Sequence, residues 1–203
     1  MNRLALGLSA SVLSLCIGAA HATTITYSTA LNGANESPQN SSAATGFAWV
    51  LIDDVANVMT VNANFSGLTG TTTASHIHCC TATPMTGTAG VATSLPTFPD
   101  FPIGVTSGSY TETFDLLSAS TYNSGFLTAN GGSLETARMA FLDGLASGQA
   151  YLNIHTTAFP SGEIRGFLSE VPEPGSLALF GLGAAGLAAL RRRRAGVARD
   201  ATN

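Results

Sequence analysis

Lysine is absent from this chain, and charge of either sign is scarce: Asp, Glu, Lys and Arg make up 10% of 203 residues, against a usual share of about 25%. All eight basic residues are arginines, and six of them lie outside the stretch from Thr23 to Glu170. Within that stretch Arg138 and Arg165 stand against ten carboxylates, a formal charge of −8. A body so acidic excludes nucleic acid as a partner, because phosphates need a basic face. Familiar catalytic signatures are missing too. No Ser/His/Asp order stands out, Gly131-Gly132 is too short to cradle a phosphate, and the scattered acids lack calcium-loop spacing. The chain therefore reads as a non-enzymatic protein. What is abundant instead is Thr, Ser, Ala and Gly, the surface of a secreted β protein, in a length that holds one domain and its processing segments.

The two ends carry addresses. Residues 1–22 combine Arg3, an apolar stretch from Leu4 to Ala20, and a closing Ala20-His21-Ala22, which is the build of a signal peptide cleaved before Thr23 by signal peptidase. Cys16 falls in the discarded part, since the bulky Leu15 before it does not suit lipidation. Residues 171–203 read Val171-Pro172-Glu173-Pro174-Gly175, then an apolar run over 176–190, then Arg191 to Arg194. As a helix, Gly175 to Leu190 spans about 24 Å against a hydrocarbon core of about 30 Å, and arginine stems can snorkel across the difference. The arginines stay cytoplasmic, so the domain before them lies on the outer side of the membrane. This end resembles the PEP-CTERM sorting signal. The resemblance implies recognition near Pro172, Glu173 and Pro174 by an exosortase-type enzyme, a transient membrane anchor, and delivery to the cell surface or an exopolysaccharide matrix. A permanent single-span anchor is the alternative.

Residues 23–170 form the expected β domain. Thr23 to Leu31 alternates apolar and polar residues, the mark of a half-buried strand. A polar loop over Asn32 to Thr45 precedes a hairpin of Gly46–Ile52 and Val58–Phe65. The His76 strand follows, then a proline-rich stretch around a short strand near Gly90 to Leu95, and another strand over Ser107 to Leu116. Ser133 to Ala146 reads as the one helix, capped by Ser133. Gln149–Thr157 and Glu163–Ser169 make a second hairpin. Seven or eight short strands and one short helix predict an all-β Greek-key sandwich or barrel.

Reactive side chains concentrate at Ala74-Ser75-His76-Ile77-His78-Cys79-Cys80. On a strand, His76 and His78 share one face and Ile77 takes the other. His155 shares its own strand face with Tyr151 and Asn153, so a sheet that sets the two strands side by side assembles three imidazoles. Three suffice for copper or zinc with water in the open position; the alternative is three rings that each lock a backbone carbonyl. Cys79 and Cys80 form either a vicinal disulfide, favoured by an oxidising compartment, or free or metal-bound thiols. Glu163 and Arg165, two apart on a strand, share a face and read as a salt-linked or hydrogen-bonded strand end.

Ser75-His76-Ile77-His78, Gly90-Val91, the Leu142-to-Gly148 helix end, Ala150-to-Thr156 and Pro160-to-Gly166 together resemble a CHRD domain, the chordin-type module. That resemblance implies an all-β extracellular module and supplies no enzyme activity. A fainter similarity to copper/zinc superoxide dismutases, in which a His-x-His strand ligates copper, bears on the fold alone. The expectation is an exported CHRD-like protein with a binding or structural role in the cell envelope or extracellular matrix, its partners being exopolysaccharide or envelope components. The rival reading is a copper or zinc protein or oxidoreductase built on His76, His78 and His155.

Overall fold

The computed structural model describes residues 24–172 and 183–187. The expected signal peptide, Glu173 and Pro174 of the sorting motif, and most of the expected 176–190 helix lie outside these residues. Residues 183–187 are helical, and no helix among the described residues is long and apolar enough to cross a membrane.

Eight strands, β1 (Thr24–Asn32), β2 (Thr45–Asp53), β3 (Val58–Ser66), β4 (Thr72–His78), β5 (Gly108–Asp115), β6 (Tyr151–Thr156), β7 (Ile164–Phe167) and β8 (Ser169–Glu170), make one sheet. Its order is β4-β6-β7-β1-β2-β3-β5, with β8 beside β1, and every pairing is antiparallel. Of the sandwich or barrel expected, the single curled sheet takes the barrel-like form. The nine-residue ladders of β1, β2 and β3 twist and curl the sheet into a half-barrel. The segments leading into its two outermost strands meet, through Leu68 N–H to Thr106 O (3.0 Å) and Thr72 N–H to Val105 O (2.8 Å).

Alternation explains the inner surface. Ala48, Val50 and Ile52 of β2 face Ala63, Val61 and Met59 of β3 in register, and Met59 in turn faces Phe114 of β5. The opposite face carries Thr60 and Asn62, bonded across to Thr113 and Thr111. The β2–β3 hairpin closes where Asp53 accepts from Val55 and Ala56 N–H and Asn57 turns at φ 56.

Two helices appear where one was expected. The predicted one, α2 (Leu134–Ala146), starts at Ser133, whose hydroxyl accepts from Thr136 N–H at 3.1 Å, and ends before Gly148 at φ +66. The other, α1 (Ser124–Ala129), is capped by Asn123. At six residues it is too short to show helical periodicity in sequence, and it owes its place to Phe126 packing on Phe141 and Tyr122. The short strand expected near Gly90 to Leu95 reduces to isolated bridges, His78 to Val91 and Thr93 to Tyr122. The prolines around it remove ladder donors. Phe98 and Phe101, from this irregular stretch, close the core against Tyr110 and Phe65. Each such buried ring contributes about 1.5–3 kcal/mol.

Candidate metal centre

β6 is buried on both faces. Leu152 and Ile154 point into the core, while Tyr151 and Asn153 are equally enclosed on the other side. That second face is the site. β4 pairs with β6 in the register Ala74 to His155, His76 to Asn153 and His78 to Tyr151. Period two then sets His76, His78, Asn153 and His155 on one face of two adjacent strands.

The three imidazoles meet there. Ring centroids are 5.9 Å apart for His76 and His78, 5.3 Å for His76 and His155, and 5.7 Å for His78 and His155. One nitrogen from each ring lies within 4.8 Å of those from the other two. Three loops hold the rings in place through backbone carbonyls. Nε2 of His76 donates to Pro96 O (2.8 Å), Nδ1 of His78 to Ala89 O (2.9 Å), and Nδ1 of His155 to Pro160 O (3.0 Å). Those bonds assign the tautomers. The nitrogens left over are Nδ1 of His76 and Nε2 of His78 and His155, and all three are buried with no hydrogen-bond partner.

Burial also sets their protonation. Removal from water lowers the pKa of His76 and His78 to about 4, against the smaller opposing pull of their carbonyl partners, and lowers His155 as well. At neutral pH each ring is a neutral donor with a free lone pair. A histidine that gives one N–H to a carbonyl and turns the other nitrogen inward has the form of a metal ligand with its outer support in place. Around an ion at about 2.0–2.1 Å from each nitrogen, tetrahedral ligands stand about 3.4 Å apart. The observed nitrogens stand wider than that, within 4.8 Å of one another, so the three neutral imidazoles suit a copper or zinc ion by number and chemistry.

Supporting residues that sequence reasoning left without a role surround the rings. Tyr151 stacks on His78 with centroids 4.8 Å apart and planes 5° apart, and its hydroxyl bonds Ala89, the residue that also anchors His78. The Arg165 guanidinium lies over the Tyr151 ring at 4.6 Å. The shared strand face of Tyr151, Asn153 and His155 was the signal for two of these. Glu36 gave none, because it comes from a loop over a hundred residues away in sequence.

Glu163 and Arg165 do not pair with each other. Arg165 reaches Glu36 (3.7 Å) and Asn35 O. Glu163, fully buried, accepts from Ser42 hydroxyl, Thr69 N–H, Gly70 N–H and Thr156 hydroxyl. It precedes β7, and its partners are all different from those of Arg165.

Cys79 and Cys80 are bonded to each other. Gly144 of α2 packs against them so closely that a Cβ there would overlap both sulfurs. The sulfurs form one wall of a cleft of about 480 Å³ beside Val91 and Phe126. Pro172 is exposed just beyond β8, where Val171 N–H bonds Thr26 O at 2.7 Å.

A curled antiparallel sheet with two short helices and a buried polar cluster defines a class of β module. The chain belongs to the CHRD domain family, whose model matches residues 27–168. The PEP-CTERM protein-sorting motif matches residues 170–194 and marks the chain for export and for cell-surface or extracellular sorting by an exosortase-type system. No curated protein and no solved structure was found to match the chain.

Proposed function

We propose that this protein is an exported CHRD module that binds one copper or zinc ion through His76, His78 and His155 and acts without catalysis in the cell envelope or extracellular matrix. The observation that carries this reading is the trio of buried, partnerless ring nitrogens that converge on one face of β4 and β6. An unpartnered buried acceptor is costly, and three in one place are satisfied together by a single cation. The finer topology belongs to the same reading. Residues 1–22 are removed on export, residues 23–170 are the working domain, and residues 171–203 anchor the chain transiently before exosortase processing. Exopolysaccharide or other envelope components are the proposed surroundings.

The test is to purify the full chain, load it with Cu²⁺ or Zn²⁺, remove free ion, and measure bound metal. About one equivalent is expected, lost in His78→Ala. Failure of the unsubstituted chain to retain either ion overturns the metal reading and leaves a purely structural role.

A further inference from the structure

Among the described residues, five of the seven buried side-chain polar atoms without a partner belong to one neighbourhood: the three histidine nitrogens, Oδ1 of Asn153 and Oε1 of Glu36. Asn153 stands directly across from His76 in the β4–β6 ladder and from Arg165 in the β6–β7 ladder. It therefore connects the histidines to the Glu36–Arg165 pair. Its amide and Oε1 of Glu36 crowd the same spot beside Gly162, where a Cβ would lie 2.6 Å from Asn153 Oδ1 and 2.8 Å from Glu36 Oε1.

Each of the five atoms carries a lone pair when its group is unprotonated; burial pushes the Glu36 carboxyl up to about 7, against the pull of Arg165. With each ring N–H already given to a carbonyl, the neighbourhood gathers acceptors with nothing to accept. Three of them suit the ion itself. The two oxygens meet beside Gly162, two residues from Pro160, whose carbonyl anchors His155, and a three-histidine ion keeps an open position for water. Water on a cation is a strong donor, and acceptors around it are what orient it.

From this geometry we infer that Asn153 and Glu36 form the outer wall of the metal centre and take hydrogen bonds from water on the ion's open position. Glu36 and Arg165 also line a cleft of about 780 Å³, together with Asn35 and Phe167. Arg165 serves this wall by holding Glu36: its Nε is 3.7 Å from Oε2, which leaves Oε1 turned inward. The inference rests on the three-histidine reading and adds to it the residues that set the ion's affinity and its water.

Glu36→Gln and Asn153→Ala, made in the full chain and titrated with Cu²⁺ alone against a competing chelator, test it. Each is expected to weaken copper binding by about 10–100-fold and to change the electron paramagnetic resonance spectrum of bound Cu²⁺. Thermal unfolding of the metal-free variants is measured alongside. Loss of thermal stability with unchanged affinity and spectrum identifies a merely structural role and overturns the inference. Failure of the unsubstituted chain to bind copper overturns the three-histidine reading itself, so the two failures are distinct.

Discussion

Replacing Glu163 by Gln tests how this fold ties its loops to the sheet. Oε1 of Glu163 accepts from Ser42 Oγ (2.6 Å) and Thr69 N (2.6 Å), and Oε2 accepts from Thr156 Oγ1 (2.7 Å) and Gly70 N (3.3 Å). One carboxylate thus joins the loop before β2, the loop before β4 and the end of β6, with no cation beside it. In Glu163→Gln, one of the two positions becomes an NH₂ donor. A facing hydroxyl can rotate to accept, whereas a backbone N–H cannot. The amide therefore turns its NH₂ toward Gly70, whose bond is the longer, and keeps its oxygen on Thr69. One buried N–H is left unpaired and the remaining bonds lose their charge, a cost of about 2–3 kcal/mol. For a domain of this size that lowers Tm by about 4–12 °C, readable by near-ultraviolet circular dichroism on the metal-free protein.

The same residue predicts a pH dependence. Burial alone would raise the Glu163 pKa, but the four donors outweigh it and hold the carboxyl below its ordinary value of 4.5. A carboxylate depressed in the folded state stabilises fully above its unfolded pKa and loses that contribution as pH falls through the folded value. The gap in Tm between the wild-type protein and Glu163→Gln should accordingly narrow below pH 4.5. A variant that melts within about 1 °C of wild type at neutral pH, or a gap that widens in acid, refutes this account of Glu163.

The proposed metal centre has its own pH signature. A ring must be neutral to bind an ion, and burial holds His76 and His78 neutral down to about pH 4, so copper retention should stay flat from about pH 8 to about 5.5 and fall only in stronger acid. A fall centred near 6.5 would mean that the rings are solvated before the ion arrives. At the other end of the chain, intact-mass measurement of protein released from cells should show a C-terminus near Pro172 to Pro174, and released protein that still carries Asn203 counts against exosortase processing.

Much of this protein is legible without coordinates, and the reason is locality. Strand alternation in Thr24–Asn32, Thr45–Asp53, Val58–Ser66 and Gly108–Asp115 depends on period two, which any window of the sequence displays. The Ser133 cap and the Pro-Glu-Pro tail are likewise contiguous. The six residues of α1 offer less than two turns of periodicity, so the helix is visible only once Phe126 meets Phe141. The choice between one curled sheet and two stacked ones depends on which strands become neighbours, and alternation is the same in both.

The site divides along the same line. The sequence alone determined that His76 and His78 share a face, that His155 shares one with Tyr151 and Asn153, and that the C-terminal region carries a sorting signal. Tertiary structure decided the rest. The β4–β6 register brought the two faces together, because a shift of one residue would have turned either set to the core. Loop closure chose the three carbonyls that leave each histidine with an inward lone pair. It also sent Arg165 to Glu36 and Glu163 to Ser42, Thr69, Gly70 and Thr156. Those partnerships join residues far apart in the chain, and no local pattern records them.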